Sequence, residues 1–257
     1  MNSDLMIIVF VLIFGLIVGS FLNCLVYRLY HDVSLLGRSF CPHCLKKIAW
    51  YDNIPVFSYI LLLGRCRHCR RTISWQYPAV ELFTALLFLL TWPGDMGLTN
   101  FFWLLLYNWL LVSVLIIISI YDSRWQLIPV SVITVTGLIL LIVNIILGEP
   151  VIFIGALALL GATFFGIQYL LTKGRGIGEG DIWLGAFLGL AFPHLGQFFL
   201  IIFITYLLGA AVGIYLMISE HRQARSAIAL GPFLALAAFI VLVWGEPLLA
   251  WYLQIVW

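Results

Sequence analysis

Four cysteines and two aspartates carry the chemistry legible in this sequence. The cysteines stand as Cys41-Pro42-His43-Cys44 and Cys66-Arg67-His68-Cys69. Two C-x2-C turns about twenty residues apart have the spacing of a four-cysteine zinc site. Each turn presents two thiolates, and together they complete a tetrahedron. A pair of disulfides is the competing reading. The surrounding loop is rich in Lys and Arg, which assigns it to the cytosol, where disulfides are rare. His43 and His68 lie inside the turns and read as surface residues, because four thiolates already fill a structural site. The fifth cysteine, Cys24, reads as a small buried hydrophobe.

Asp181 closes the stretch Gly176-Ile177-Gly178-Glu179-Gly180-Asp181, which lies between two apolar segments just after Lys173-Gly174-Arg175. An ionisable group at the mouth of a membrane helix is a functional hypothesis by default. Glycine lets the backbone approach a ligand closely, so Gly178 and Gly180 are read as substrate-binding. The plain alternative is that Asp181 caps the helix that follows. Asp122 ends another apolar run, in Ile120-Tyr121-Asp122-Ser123-Arg124. An acid at a helix C-terminus opposes the helix dipole, so helix stability does not account for it, although Arg124 offsets it locally. Both aspartates are expected at similar depth on one side of the membrane. Two carboxylates that share a proton are the equipment of an aspartic protease. The ionised one takes a proton from water, and the protonated one polarises the scissile carbonyl. The pair titrates as a unit. No Ser–His–Asp set is apparent, and His194 falls on the opposite side.

Few other acids share that depth. Glu220 sits in a loop beside His221 and Arg222. Glu81 is expected in the first turn of the second span, where an acid complements the dipole; a catalytic or ligand role for it stays open. Ser20 and Asn23 share one face of the first span and read as helix-packing residues.

The elements that must position these groups are membrane helices. The chain has 257 residues, 64% hydrophobic and 9% charged, against about 25% charged in a soluble domain. Apolar runs predict eight spans, near 5–27, 79–92, 101–121, 129–147, 151–172, 182–192, 198–219 and 228–244. The run 182–192 is about half a crossing. The first run lacks a basic leader and reads as a retained span rather than a signal peptide. The loop 28–78 holds Arg28, Arg38, Lys46, Lys47, Arg65, Arg67, Arg70 and Arg71. Arg124, then Lys173 and Arg175, then Arg222 and Arg225 follow spans three, five and seven. The alternate loops hold no Lys or Arg. The positive-inside rule therefore puts both termini outside and the cysteine loop in the cytosol. The expected fold is an all-α polytopic membrane protein. Its parts are a first helix (1–27), a zinc-binding loop domain (28–78) and a transmembrane domain (79–257). No nucleic-acid partner is expected. A loop of about fifty residues buries little core of its own, and a metal clip supplies the missing stability.

Taken together, these residues resemble the prepilin peptidases, also called type 4 prepilin leader peptidases. Gly178-Glu179-Gly180-Asp181 is similar to the GxGD signature of intramembrane aspartic proteases. Gly19-Ser20-Phe21-Leu22-Asn23 with Tyr27-Arg28, the paired C-x2-C turns, Asp52-Asn53-Ile54-Pro55, Tyr77-Pro78-Ala79-Val80-Glu81-Leu82 and Gly231-Pro232-Phe233-Leu234-Ala235 follow in the family's order. The resemblance covers nearly the whole chain. It implies cleavage of a basic leader from type 4 prepilins or pseudopilins at the cytoplasmic face of the bacterial inner membrane. It also implies N-methylation of the new N-terminal residue, usually Phe, with S-adenosylmethionine. It makes Asp122 and Asp181 the catalytic dyad and Cys41, Cys44, Cys66 and Cys69 the zinc ligands, with methyl transfer associated with the first loop. Two positions depart from the family pattern: Val130 stands where an acid is common, and Trp183 where Lys is common. A peptidase with a purely structural zinc loop, and a non-enzymatic transporter or scaffold, are the alternatives.

Overall fold

The computed structural model describes residues 3–94, 98–219 and 229–256; Glu220, His221, Arg222, Arg225, Ile228 and Trp257 lie outside the described residues. Each of the eight apolar runs forms a helix. They are α1 (Ser3–Tyr30), α3 (Gln76–Leu90), α4 (Leu98–Trp125), α5 (Val130–Ile146), α6 (Val151–Thr172), α7 (Glu179–Ala191), α8 (Leu195–Ser219) and α9 (Gly231–Val256), with a short α2 (Phe57–Leu61) in the first loop. Among the described residues the only β pairing is two isolated bridges, Phe40–Lys47 and Arg65–Thr72.

Five helices, α1, α4, α6, α8 and α9, are long and apolar enough to cross a membrane. The chain is thus a multi-pass membrane protein. The other three do not reach the length of about 20 residues that a full crossing needs: α3 has 15, α5 has 17 and α7 has 13. The last helix ends later than its apolar run suggests. It continues through Pro247 to Val256, because one proline removes a single helical hydrogen bond without ending the run.

The chain divides into two units, Met1–Trp92 and Pro93–Trp257. In the first, α1 packs along α3. Gly15 and Gly19 stand one turn apart on α1. A Cβ on Gly15 would lie 2.5 Å from Ala85 Cα, and one on Gly19 would lie 2.7 Å from Glu81 Cα. Small residues at this spacing let two membrane helices touch by their backbones. Asn23 pins the start of α3: its side-chain amide donates to the Tyr77 carbonyl (3.2 Å) and accepts from Gln76 (3.5 Å). Arg28 is buried, and its guanidinium donates to the carbonyls of Ser34, Leu35, Gly37 and Arg38 at 2.6–3.2 Å. One side chain thereby gathers the turn that leads into the cysteine loop.

In the second unit α4 packs against α5 and α9, α7 lies against α5 and α6, and α8 packs on α9. Leu111, Ile118, Leu140, Leu184, Leu188, Phe198, Ile201 and Leu234 are among its fully covered core residues. Large apolar side chains such as Ile152, Leu159, Leu170 and Phe203 remain exposed, as expected of faces that meet lipid rather than water.

Candidate functional site

The four loop cysteines come together. Their Sγ atoms all lie within 4.8 Å of one another, and Cys41 and Cys69 are 3.9 Å apart. A tetrahedron of thiolates about 2.3 Å from a metal places its sulfurs about 3.8 Å apart. The cluster therefore fits one ion. A disulfide needs about 2.05 Å, and all five cysteines are free, so the disulfide reading falls.

The two turns are built alike. Leu45 N–H donates to Cys41 O (2.8 Å) and Cys41 N–H to Lys46 O (3.0 Å). Arg70 N–H donates to Cys66 O (3.0 Å) and Cys66 N–H to Arg71 O (2.9 Å). Leu45 and Arg70, each just past its second cysteine, hold positive φ at 57° and 59°. Such paired strain fixes where the sulfurs point. The Cys69 backbone N–H aimed at the Cys66 sulfur holds that thiol down at about 7. Cys69 is pushed up to about 11: the Arg71 backbone N–H pulls the other way, but burial and the neighbouring thiols prevail. His43 and His68 are exposed. Arg67, inside the second turn, grips Asp52 with two hydrogen bonds of 2.8 and 2.6 Å, and this contact holds the Asp52 carboxyl below its usual range.

The aspartates belong to the second unit, and both are buried, 6% and 8% exposed. Asp122 sits in the last turn of α4. Asp181 sits in the first turn of α7, where its backbone N–H donates to Gly178 O (3.1 Å). Each aspartate accepts one glycine amide through Oδ2: Asp122 from Gly231 (2.7 Å) and Asp181 from Gly178 (2.9 Å). Among the described residues, Oδ1 of each carries no hydrogen bond. The carboxylates lie within electrostatic reach of each other.

Helix packing fixes this arrangement. A Cβ on Gly231 would lie 2.6 Å from Asp122 Oδ2, and one on Gly180 would lie 2.7 Å from Ile128. Only glycine permits these approaches. At Gly178 a Cβ would meet nothing closer than 3.7 Å, so steric space does not demand that glycine; its amide supports Asp181. Helix α7 contacts α6 backbone to backbone, since a Cβ on Gly185 would lie 2.3 Å from Gly161 O and one on Gly189 2.2 Å from Leu157 C. The last carbonyls of α7 are met by side chains from other helices. Tyr107 of α4 donates to Ala191 O, and Asn144 of α5 to Leu190 O (2.9 Å). A short buried helix has four C-terminal carbonyls without helical partners, and these contacts satisfy two of them.

The sequence missed Tyr107, Asn144 and the amide role of Gly231. The first two carry a signal, being polar side chains inside apolar runs. The place of Glu81 needs correcting. Helix α3 begins at Gln76, held by Ser74 (3.3 Å), so Glu81 lies in the second turn and not the first. The dipole does not explain it. It is 6% exposed, and Oε2 accepts the Val56 amide at 2.7 Å.

Comparison with known proteins follows the two units. Residues 13–93 match the bacterial peptidase A24 N-terminal domain and residues 109–214 the type IV leader peptidase family. The chain is 32% identical to a prepilin leader peptidase/N-methyltransferase of Aeromonas hydrophila, covering 95% of this chain and 92% of that one. It is 32% identical to the protein of that name from Pseudomonas aeruginosa (95% and 92%) and 34% to that from Pseudomonas putida (95% and 92%). No solved structure matches. With both units matched in order and such identity across almost the full length, the chain belongs to the type IV leader peptidase family.

Proposed function

We propose that this chain is an aspartic endopeptidase of the bacterial inner membrane that removes the leader from type 4 prepilins or pseudopilins and methylates the new amino terminus. The observation that carries the cleavage reading is the buried pair Asp122 and Asp181, each held by one glycine amide on Oδ2. Two carboxylates at close range share a proton. One Oδ1 takes a proton from a water, whose oxygen attacks the scissile carbonyl carbon. The other carboxyl donates its proton to the carbonyl oxygen. As the C–N bond breaks, the proton taken from water passes to the leaving nitrogen, and the mature pilin departs with a free amine. Gly178 and Gly180 lie where an extended substrate segment would approach Asp181.

Cys41, Cys44, Cys66 and Cys69 hold zinc in this reading, since soft thiolates in a tetrahedron favour it. The ion closes the loop 28–78, which takes the methyl-transfer role, and residues 79–257 form the peptidase part. S-adenosylmethionine supplies an electrophilic methyl group. Both termini lie outside, and the zinc loop lies in the cytosol with the basic leader of the substrate.

Intact-mass analysis tests this. A full-length prepilin is incubated with the chain in lipid, with and without S-adenosylmethionine. The expected product has lost its leader and, with the donor present, gained one methyl. Leader loss without methylation would leave a peptidase alone. An uncleaved substrate that another prepilin peptidase does process would reject the proposal.

A further inference from the structure

Tyr206 of α8 donates a hydrogen bond to Gln168 Oε1 of α6 at 2.6 Å. Its ring also meets Phe164 of α6 edge to face, with centroids 6.3 Å apart. Helix α6 packs on α7 and α8 on α9, so this bond joins two helices that each lean on another partner. Polar side chains within apolar spans are costly, and a bond of this kind ordinarily serves as packing glue between helices. Its place, its unused bonding groups and its exposure give this pair a further use.

The stripe of α6 that packs on α7 runs through Leu157, Gly161 and Phe165, and Gln168 extends it by one turn. Along this stripe a Cβ on Gly189 would meet Leu157, and one on Gly185 would meet Gly161. The register is antiparallel, four residues for four, and it sets Asp181 level with Phe165. Gln168 lies three residues further along α6, about 4.5 Å at 1.5 Å per residue. Tyr206 is itself within electrostatic reach of Asp181. One amide N–H of Gln168 donates to Phe164 O (3.2 Å). Among the described residues, its second N–H and the lone pairs of the Tyr206 oxygen carry no hydrogen bond. Tyr206 is 38% exposed and Gln168 half-buried. A donor and an acceptor side by side match the C=O and N–H groups of an extended peptide backbone.

We infer that Gln168 and Tyr206 bind the substrate beside Asp181, with the Gln168 N–H and the Tyr206 oxygen hydrogen-bonded to the extended backbone of the leader just before the scissile bond. The inference rests on the leader-cleavage reading above and deepens it. The leader is the part they meet, because Gln168 lies nearer than Asp181 to the end of α6 that runs into Lys173, the end which that reading places in the cytosol with the leader. The contact is to backbone, so it fixes which bond reaches the aspartates rather than which side chains are preferred.

The test uses the full chain in lipid nanodiscs and a full-length prepilin, with helix content and thermal midpoint as folding controls. Tyr206→Phe and Gln168→Met are each expected to raise KM for leader cleavage about fivefold to tenfold and to leave kcat within about twofold, the signature of lost binding on the scale of one hydrogen bond. A merely structural bond would instead lower kcat by displacing Asp181, with KM unchanged. Benzoylphenylalanine in place of Tyr206, in a chain that also carries Asp181→Asn, is expected to photo-crosslink the prepilin within its leader. The same probe in place of Leu159, exposed on the other half of α6, is the control. Unchanged KM in both variants, or a crosslink no stronger than the control or confined to the mature segment, overturns the inference and leaves leader cleavage standing. A prepilin left whole by wild type, though another prepilin peptidase processes it, overturns the cleavage reading itself.

Discussion

The two units solve the same problem, holding a few reactive groups in register, by opposite means. In the first, the sulfur cluster is made from short-range turns. Each C-x2-C segment folds on itself through two backbone hydrogen bonds and one positive φ, and the pair meets across a short loop. In the second, Asp122 and Asp181 are far apart in the chain, and neither is held by its own turn alone. Asp122 depends on an amide at the start of α9, and Asp181 on a short helix wedged between α5 and α6. Local turns tolerate change elsewhere and fail when one ligand goes. A site made by helix packing fails when any approach is blocked.

That contrast is open to attack. The largest separation is expected at Gly231. Gly231→Ala places a methyl against Asp122 Oδ2, and displacing a catalytic group by about 1 Å costs on the order of a hundredfold in rate. Leader cleavage should fall by that much while zinc content, read by elemental analysis, stays at one per chain. Loss of the metal as well would mean that the units are not independent.

The reverse experiment is Cys66→Ser. It removes one ligand of a tetrahedral site, and such sites contribute folding energy outright. The metal should leave, and protease digestion should cut within 28–78, while α4–α9 remain resistant. A loop that stays protected without metal would contradict the account.

Asn144→Leu asks how α7 is held. It leaves the Leu190 carbonyl unpaired, at a cost of about 1–3 kcal/mol. Thermal unfolding in detergent should show a lower midpoint, with cleavage reduced less than in Gly231→Ala. An unchanged midpoint would remove the side-chain capping of α7 from the argument.

The smallest effect is expected at Asp52→Asn, which breaks the exposed bridge to Arg67. Folding holds the Asp52 carboxyl below its unfolded value of about 3.9. Its contribution is therefore complete above that pH and is lost as the pH falls through the lower folded value. Hydrogen exchange across 50–56 should be faster in the variant at pH 5 and above, with the difference closing under stronger acid. A difference that does not close would assign the effect to something other than the carboxylate charge.

The same contrast explains what the sequence discloses. The cysteine spacing reads directly, because a turn is a short-range object. The apolar runs read almost as directly, though length separates the five spanning helices from α3, α5 and α7. Asp122 and Asp181 stand out because an acid at a span boundary needs a reason. What holds them does not stand out. Gly185 and Gly161 matter through backbones that meet across helices, and Gly231 through its close approach to the Asp122 carboxylate; no periodicity encodes that. In the sequence Glu81 reads one turn early because Pro78 looks like a helix start, whereas α3 begins two residues sooner, at Gln76.

The central claim is that two aspartates do the cutting, held by helix packing and by one glycine amide each. The most direct measurement is prepilin cleavage by Asp122→Asn and Asp181→Asn, each in lipid, each checked for helix content and zinc. The account predicts that both variants fold, keep the metal and leave the prepilin whole. Cleavage by either at the wild-type rate would contradict it.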